Sequence, residues 1–345
     1  NLKNLSCSKN PLDKLDVSTL TELTSLTCMA DGLSELNLYE NNKLQRLNCA
    51  NNQLTSLVVL SDSLTKLDCY VNKLEKLDLT SVPNLKSLRC DQNSLKSLDL
   101  SNNQSLTSIN CTYNNLTSLD LSKNTSLANV TNAMIGNQSV SLKANFDGNM
   151  IVIPFENSNL DNDNYVSSTL DDYGDGSGFN FASFIAYDVS EIDGGIEYYC
   201  NTKLAGSENM KVSVTVSRDF HQVSFYADSE NTSLIGRAFA NDGQSVTAPE
   251  IKNPPQCKVL DTWSDTLDNV TGDKSIYANW KDAHSYSLSS FSNDTATVKC
   301  SACGDTFTLS FINAVNSKKG DEKYSPYLDV AKDGVINAKD YALLN

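Results

Sequence analysis

The residues best suited to chemistry in this chain lie near its end. Asp329, Asp333 and Asp340 stand at positions 1, 5 and 12 of a twelve-residue stretch, with Gly334 at position 6. At that spacing a loop wraps a hard cation in oxygen donors, and the glycine permits the sharp turn. The carboxylates of Asp329, Asp333 and Asp340 supply three ligands, the backbone carbonyl of Val335 at position 7 a fourth, and Asn337 at position 9 acts through water. Position 3 is Ala331, which removes one side-chain ligand and predicts weakened affinity or a substituting water. Ile336 anchors the loop's short strand inward, and a helix follows from Ala338 to Leu344. Calcium is therefore the expected cofactor.

Thiols and imidazoles form the second set. Cys300-Ser-Ala-Cys303-Gly304 is half of a structural zinc knuckle, with His284 sixteen residues upstream and a remote fourth ligand needed, such as Cys257 or His221. Vicinal thiols or a small disulfide are the preferred reading, and zinc is not expected. A third cluster, Asp161, Asp163, Asp171, Asp172 and Asp175, sits in a polar stretch without a loop template and reads as solvated carboxylates. His221 and His284 are the only histidines in 345 residues, and no nucleophile–histidine–acid set or phosphate loop is present. No catalytic activity is expected.

The elements that position these groups emerge from the other cysteines. Cys7, Cys28, Cys49, Cys69, Cys90 and Cys111 recur at 21 residues, with one interval of 20. Each closes a Leu-x-x-Leu-x-Cys frame, as in Leu85, Leu88, Cys90. Three residues on comes Asn10, Asp31, Asn52, Asn72, Asn93 or Asn114, then a second frame such as Leu95, Leu98, Leu100. A fixed period over six copies predicts stacked coils, with the leucines and cysteines inward and intervening residues outward along short strands. The asparagine column is placed to satisfy backbone groups of adjacent coils. Coils about 4.8 Å apart hold parallel cysteines too far apart for the ~3.8 Å Cβ separation of a disulfide, so a ladder of free thiols is expected. That also argues against strongly oxidising maturation. The short copy around residues 57–63 predicts a local bulge.

Residues 1–130 thus resemble a bacterial leucine-rich-repeat array of the 21-residue IRREKO type. The resemblance implies a protein ligand on the strand face, whose outward residues include Arg46, Asn48, Lys66, Asp68, Tyr70, Arg89 and Asn110. Most outward side chains are short and polar, with no aromatic cluster, and a second strand shows Asp16, Asn37, Val58, Asp78, Asp99 and Asp120 as a partial acidic column. The chain opens inside a repeat, from which a removed upstream segment is expected.

Residues 131–218 lose the repeat. Residues 140–142, 150–154, 196–200 and 211–216 read as strands, and 160–178 as loop; a β-rich cap or immunoglobulin-like domain is expected. In residues 219–281, Val223-Ser-Phe225, Asn241-Asp-Gly-Gln244, Trp263 and the ending from Val270 to Trp280 resemble the Listeria–Bacteroides repeat. That implies a β-grasp-like spacer whose Tyr277 and Trp280 supply core. Residues 282–345 hold the cysteine pair and the acidic loop. The acid at position 12 followed by a helix resembles half of a dockerin, which implies cohesin as a partner read through Ala338 and Lys339. Residues 311–327 are expected to retain the first helix without its calcium loop.

The fold class is accordingly mainly β: a leucine-rich-repeat solenoid, small β modules (an Ig-like or β cap, then a β-grasp-like module) and a short helical calcium-loop element. The net charge is −15, carried unevenly: −1 over residues 1–130 and −8 over 131–218. Such a polyanion is a poor partner for nucleic acid. No apolar run approaches the ~20 residues of a spanning helix, so membrane insertion is not expected. A secreted or surface-attached bacterial adhesion or interaction protein, monomeric, is the leading expectation. The alternative is a cellulosome-like component that docks through its C-terminus and binds carbohydrate.

Overall fold

Short strands spaced by one repeat can pair only with their counterparts one coil away, and they do. In this computed structural model, which describes all residues except 128–132, 156–159, 161–162, 164, 174–176, 181–182, 207 and 345, the chain is mainly strand with few helical turns. It divides into two compact units, Asn1–Phe220 and His221–Asn345. The expected boundary at residues 130 and 131, and Asp161 and Asp175, lie outside the described residues.

The first unit opens with β1 (Asn4–Ser6), β2 (Ser25–Thr27), β3 (Arg46–Asn48), β4 (Lys66–Asp68), β5 (Ser87–Arg89), β6 (Ser108–Asn110) and β7 (Ala133–Met134). They form one parallel sheet in chain order. Leu26 pairs with Leu47, Leu47 with Leu67, Leu67 with Leu88, and Leu88 with Ile109, so like stacks on like. All four leucines, and Leu54, Leu74, Leu95 and Leu116 of the second frame, are buried. Each contributes about 1.5–3 kcal/mol. The six cysteines are free thiols, five buried and Cys7 half-buried. Burial pushes the Cys28 and Cys111 thiols up to about 12.

The asparagine column works as a second ladder. The Asn93 amide donates to Cys69 O at 3.1 Å and Cys90 O at 3.0 Å, and its Oδ1 accepts the Leu74 N–H at 3.1 Å. Asn52, Asn72 and Asn114 repeat the pattern. Two expectations for these repeats are corrected. The short copy does not disturb the sheet, because the missing residue is absorbed in the far turn. There the Ser61 hydroxyl donates to Leu44 O at 2.7 Å, the part that Asn41 and Asn103 amides play elsewhere. The second half-repeat, read as a strand, has no strand among the described residues. Its acidic column makes tight side-chain turns instead: Asp16, Asp78, Asp99 and Asp120 each accept the N–H two residues on, at 2.8–2.9 Å. A carboxylate that close to its own backbone competes with a sheet ladder for the N–H.

Strands β8 (Gln138–Lys143), β9 (Asn145–Asp147), β10 (Met150–Pro154), β11 (Tyr165–Ser168), β12 (Gly178–Asn180), β13 (Ser183–Ala186), β14 (Ile196–Cys200) and β15 (Met210–Ser217) complete the unit. They make two four-stranded sheets, β12-β13-β10-β9 and β11-β14-β15-β8. Aromatic rings fill the space between, with Phe184 and Tyr198 centroids 5.3 Å apart and Phe155 edge-on to both. The stretch 160–178, read as loop, contains β11 and a 3-10 turn at Thr169–Tyr173. Asp171 fixes it by accepting the Tyr165 hydroxyl at 2.6 Å and the Ser168 N–H at 2.7 Å.

In the second unit β16 (Phe220–Tyr226), β17 (Leu234–Asn241), β18 (Lys258–Trp263) and β19 (Lys274–Asp282) form a sheet ordered β17-β16-β19-β18, with β16 and β19 parallel. Its core is Val223, Phe225, Ala240, Val246, Val270 and Ile276, against which Trp263 packs. Tyr277 lies on the face opposite Ile276 and Ala278, and both it and Trp280 are only half-buried, so they are not the core expected of them. Parity decides this for Tyr277, since Phe225 and Ile276 pair across the parallel strands and point inward together. Trp280 shares the parity of Ile276 but sits near the strand end, its indole N–H donating to Ala227 O at 2.8 Å. A three-stranded sheet, β20 (Tyr286–Ser292), β21 (Thr295–Cys300) and β22 (Thr306–Ser310), follows. Then come one turn of helix, α1 (Phe311–Ala314), and α2 (Ala338–Leu344). The helix expected over 311–327 is confined to α1; among the described residues, 315–327 contains no helix.

Candidate functional site

Three groupings carry the chemistry. In the terminal loop, carboxylate oxygens of Asp329, Asp333 and Asp340 lie within 4.8 Å of one another. Oxygens bound to calcium at about 2.4 Å can be at most ~4.8 Å apart, so this donor set fits the ion. Asp329 Oδ1 accepts the Asp333 N–H and Oδ2 the Gly334 N–H and the Tyr324 hydroxyl, the last at 2.6 Å. The Tyr324 hydroxyl chiefly holds the Asp329 carboxyl below its ordinary range. Asp340 Oδ1 accepts the Ala331 N–H, and Oδ2 the Asn337 N–H. Asn337 Oδ1 accepts the Lys339 N–H at 2.8 Å. Asn337 and Asp340 therefore form a reciprocal cap on α2, and Asn337 spends its side-chain oxygen there. The Val335 carbonyl accepts the Asn337 amide at 3.1 Å. Ile336 is fully buried, pinned by backbone bonds to Asn316 and Ser317. Lys332 (φ 55) and Gly334 (φ 82) turn the chain left-handed around the three acids. Ala338 and Lys339 are exposed on the first turn of α2.

The second grouping joins residues far apart in sequence. Cys257 Sγ lies 3.5 Å from Cys300 Sγ, and Cys303 Sγ 3.3 Å from His284 Nδ1. One ligand atom from each of the four falls within 4.8 Å of the others. All three cysteines are free thiols, with no disulfide between them. The Cys303 N–H, donating to the Cys300 sulfur, pulls that thiol down to about 5, with His284 adding to the effect. Hydrogen bonding with Cys303 pushes the Cys257 thiol the other way, up to about 12. His221 is elsewhere, 3.1 Å from Asp242 Oδ1. Sequence spacing set His284 beside the knuckle and offered Cys257 or His221 as the remote member; the structure brings Cys257 there and not His221. The available signal was the strand pair: Lys258 opposes Asp282 in the β18–β19 hairpin, so Cys257 and His284 emerge together from one end.

The third grouping lies on the outer face of the parallel sheet. Arg46 and Lys66 are adjacent in register, as are Asn48 with Asp68, Asp68 with Arg89, and Arg89 with Asn110. The Arg89 guanidinium sits 4.0 Å over the Tyr70 ring, and its Nε is 3.5 Å from Asp91. The Tyr70 hydroxyl reaches Met29 Sδ at 3.7 Å. Asp68, expected outward and exposed, is 6% exposed. Lys66 Nζ, two residues back on the same strand, lies 3.1 Å from its carboxylate. An aromatic–cation cluster, absent from a column-by-column reading of the sequence, is thus assembled by stacking; Met29 and Asp91 are the members that reading omitted.

No protein-family profile matches the chain, and no curated protein matches it. Among solved structures, the chain is similar to the functional domain of InlJ from Listeria monocytogenes, described as including a cysteine ladder. That match has 20% identity and a TM-score of 0.31, over 63% of this chain and 67% of that one. A second is the leucine-rich repeat domain of APL1B, at 17% identity and a TM-score of 0.23, over 36% of this chain and 52% of the other. Among the described residues no helix is long and apolar enough to cross a membrane.

Proposed function

We propose that this chain is a secreted or surface-attached bacterial interaction protein that holds a protein ligand on the sheet face of a leucine-rich-repeat solenoid, without chemistry of its own. The observation that supports the reading best is the cluster of Arg89, Tyr70 and Met29, flanked by the exposed cations Arg46 and Lys66. Tyrosine and arginine held in one rigid cluster are the residue types that dominate interface energetics. The parallel ladder beneath supplies that rigidity at little entropic cost on binding.

The test compares wild type with a Tyr70→Ala/Arg89→Ala double variant as bait for extracellular proteins. Neither side chain belongs to the leucine core. At about 2 kcal/mol per truncated hot spot, a true partner loses several hundredfold or more in affinity. Partners retained equally by the variant would refute this face as the site.

The terminal loop supports a second element of the same reading: a calcium-ordered cap that presents Ala338 and Lys339 to a cohesin. The convergent carboxylates and the left-handed turns at Lys332 and Gly334 favour it. Asp329, Asp333, Asp340 and the Val335 carbonyl would hold the ion, with water in place of a ligand at Ala331. Millimolar calcium is expected to raise the melting temperature, and Asp333→Ala to abolish the rise. No rise in the wild type would remove the calcium reading; no binding across a set of cohesins would remove docking and leave a cap.

A further inference from the structure

We propose that Cys257, His284, Cys300 and Cys303 bind one zinc ion, which ties the β16–β19 sheet to the β20–β22 sheet. Four ligand atoms on a tetrahedron around zinc, with Zn–S near 2.3 Å and Zn–N near 2.0–2.1 Å, stand about 3.5–3.8 Å apart. The 3.5 Å between Cys257 and Cys300 sulfurs and the 3.3 Å from Cys303 to His284 Nδ1 are close to that spacing. A disulfide needs about 2.05 Å, and any of the three bonds possible among these cysteines would leave a histidine and a thiol beside it without purpose.

The surroundings hold the four donors in place. The 300–304 turn closes with the Gly304 N–H donating to Cys300 O at 3.0 Å, and Gly304 at φ 77 takes the left-handed step after Cys303. At the other strand end the Ala283 N–H donates to Cys257 O at 2.8 Å, which fixes Cys257 beside His284. The Gln256 amide donates to Ala302 O, joining the two turns. His284 stacks on Tyr286 at 5.0 Å, and its Nε2 faces Asp282 Oδ1 at 3.9 Å. Asp282 is itself held by Lys258 Nζ at 2.6 Å. At that distance the carboxylate favours a proton on Nε2 by charge rather than by a hydrogen bond, which leaves Nδ1 for the metal.

Donor chemistry selects the ion. Three thiolates and an imidazole are soft, which favours zinc over the calcium expected of an all-oxygen loop. Four protein ligands close the coordination sphere, so the site is structural, with no open position for a substrate. The unit also has need of such a tie. Its apolar cores are two small clusters, six buried residues in one and five in the other, and Leu288 and Phe307 remain exposed on the three-stranded sheet. Modules with so little core are commonly completed by metals or disulfides.

The experiment is metal analysis of the full chain, purified with its thiols reduced from zinc-supplemented medium and dialysed extensively. One zinc per chain is expected, retained by a control variant of the ladder, Cys111→Ala, and lost in Cys257→Ser and Cys303→Ser. Should those variants fold poorly, cobalt added to the zinc-stripped wild type reads the donors directly. Strong sulfur-to-cobalt charge-transfer absorption, with the intense visible bands of tetrahedral cobalt, saturating at one equivalent, is expected. Absence of zinc from the reduced wild type, absence of those bands, or equal zinc in a folded Cys303→Ser variant would each overturn the proposal.

Discussion

The position two residues after each ladder cysteine adopts a left-handed backbone in all six copies, and none of the six is glycine. Lys9, Ala30, Asn51, Val71, Gln92 and Tyr113 have φ between 53° and 64°. The conformation lets the asparagine that follows reach two carbonyls and an N–H at once. For most residues it costs about 1–2 kcal/mol, and for a β-branched residue it is an outlier. Val71, at φ 53, carries the worst of it. Val71→Asn, copying Asn51 one coil away, is expected to stabilise the fold by about 1 kcal/mol, read as a higher urea midpoint at unchanged slope. A destabilised variant would mean that packing of the half-buried valine outweighs the relief. This strain was invisible in the sequence, where only the column of asparagines beside it was legible.

At the scale of elements, the repeat array must end somewhere, and its last coil exposes unpaired backbone groups. The segment after it answers with its own side chains. Gln138 stands where the next asparagine would: its amide donates to Cys111 O at 2.9 Å and its Oε1 accepts the Leu116 N–H at 3.2 Å. The longer side chain reaches from a strand that already belongs to the following sheets. Tyr198 adds a hydroxyl bond to Thr117 O at 2.6 Å, and Leu121 donates its N–H to Thr202 O at 2.8 Å. The four strands read from alternation in residues 131–218 all exist, each within a residue or two of the expected ends. The strand at Tyr165–Ser168 was not legible, since it carries no apolar alternation and is held by Asp171 and by pairing with β14. Likewise the calcium-loop spacing identified the three acids. It could not show that Asn337 would serve as a helix cap, because position 9 of the loop and the N-cap of α2 are the same residue.

At the scale of the whole molecule, the division at Phe220 and His221 separates the two kinds of chemistry. The first unit holds the thiol ladder and the sheet face; the second holds both clusters of candidate metal ligands found among the described residues. Trp263 and Trp280 are the only tryptophans, and both lie in the second unit. Units with separate cores unfold separately unless a large interface couples them. Tryptophan fluorescence is therefore expected to report a transition that chelators shift downward, while exposure of the ladder thiols on heating follows a second transition that chelators leave in place. Coincident transitions, moving together on chelation, would show that the units unfold as one. The acidity of residues 131–218 belongs to the first unit but not to its repeats, so selection of a ligand by bulk charge at the sheet face is not expected.

By itself the sequence determined whatever repeats or alternates: the 21-residue register, the leucine core, the thiol and asparagine columns, the acids of the terminal loop. Periodicity encodes these because each copy meets an identical neighbour, so the local pattern and the long-range contact carry the same information. Tertiary structure alone decided the contacts between unlike segments. It laid Arg89 over Tyr70 of the preceding coil and set the Tyr70 hydroxyl beside Met29 two coils away, buried Asp68, gave Gln138 the asparagine's place, and brought Cys257 and His284 to Cys300 and Cys303. Those meetings depend on hairpin register and chain closure over tens of residues, and nothing in a single segment's composition records its eventual partner.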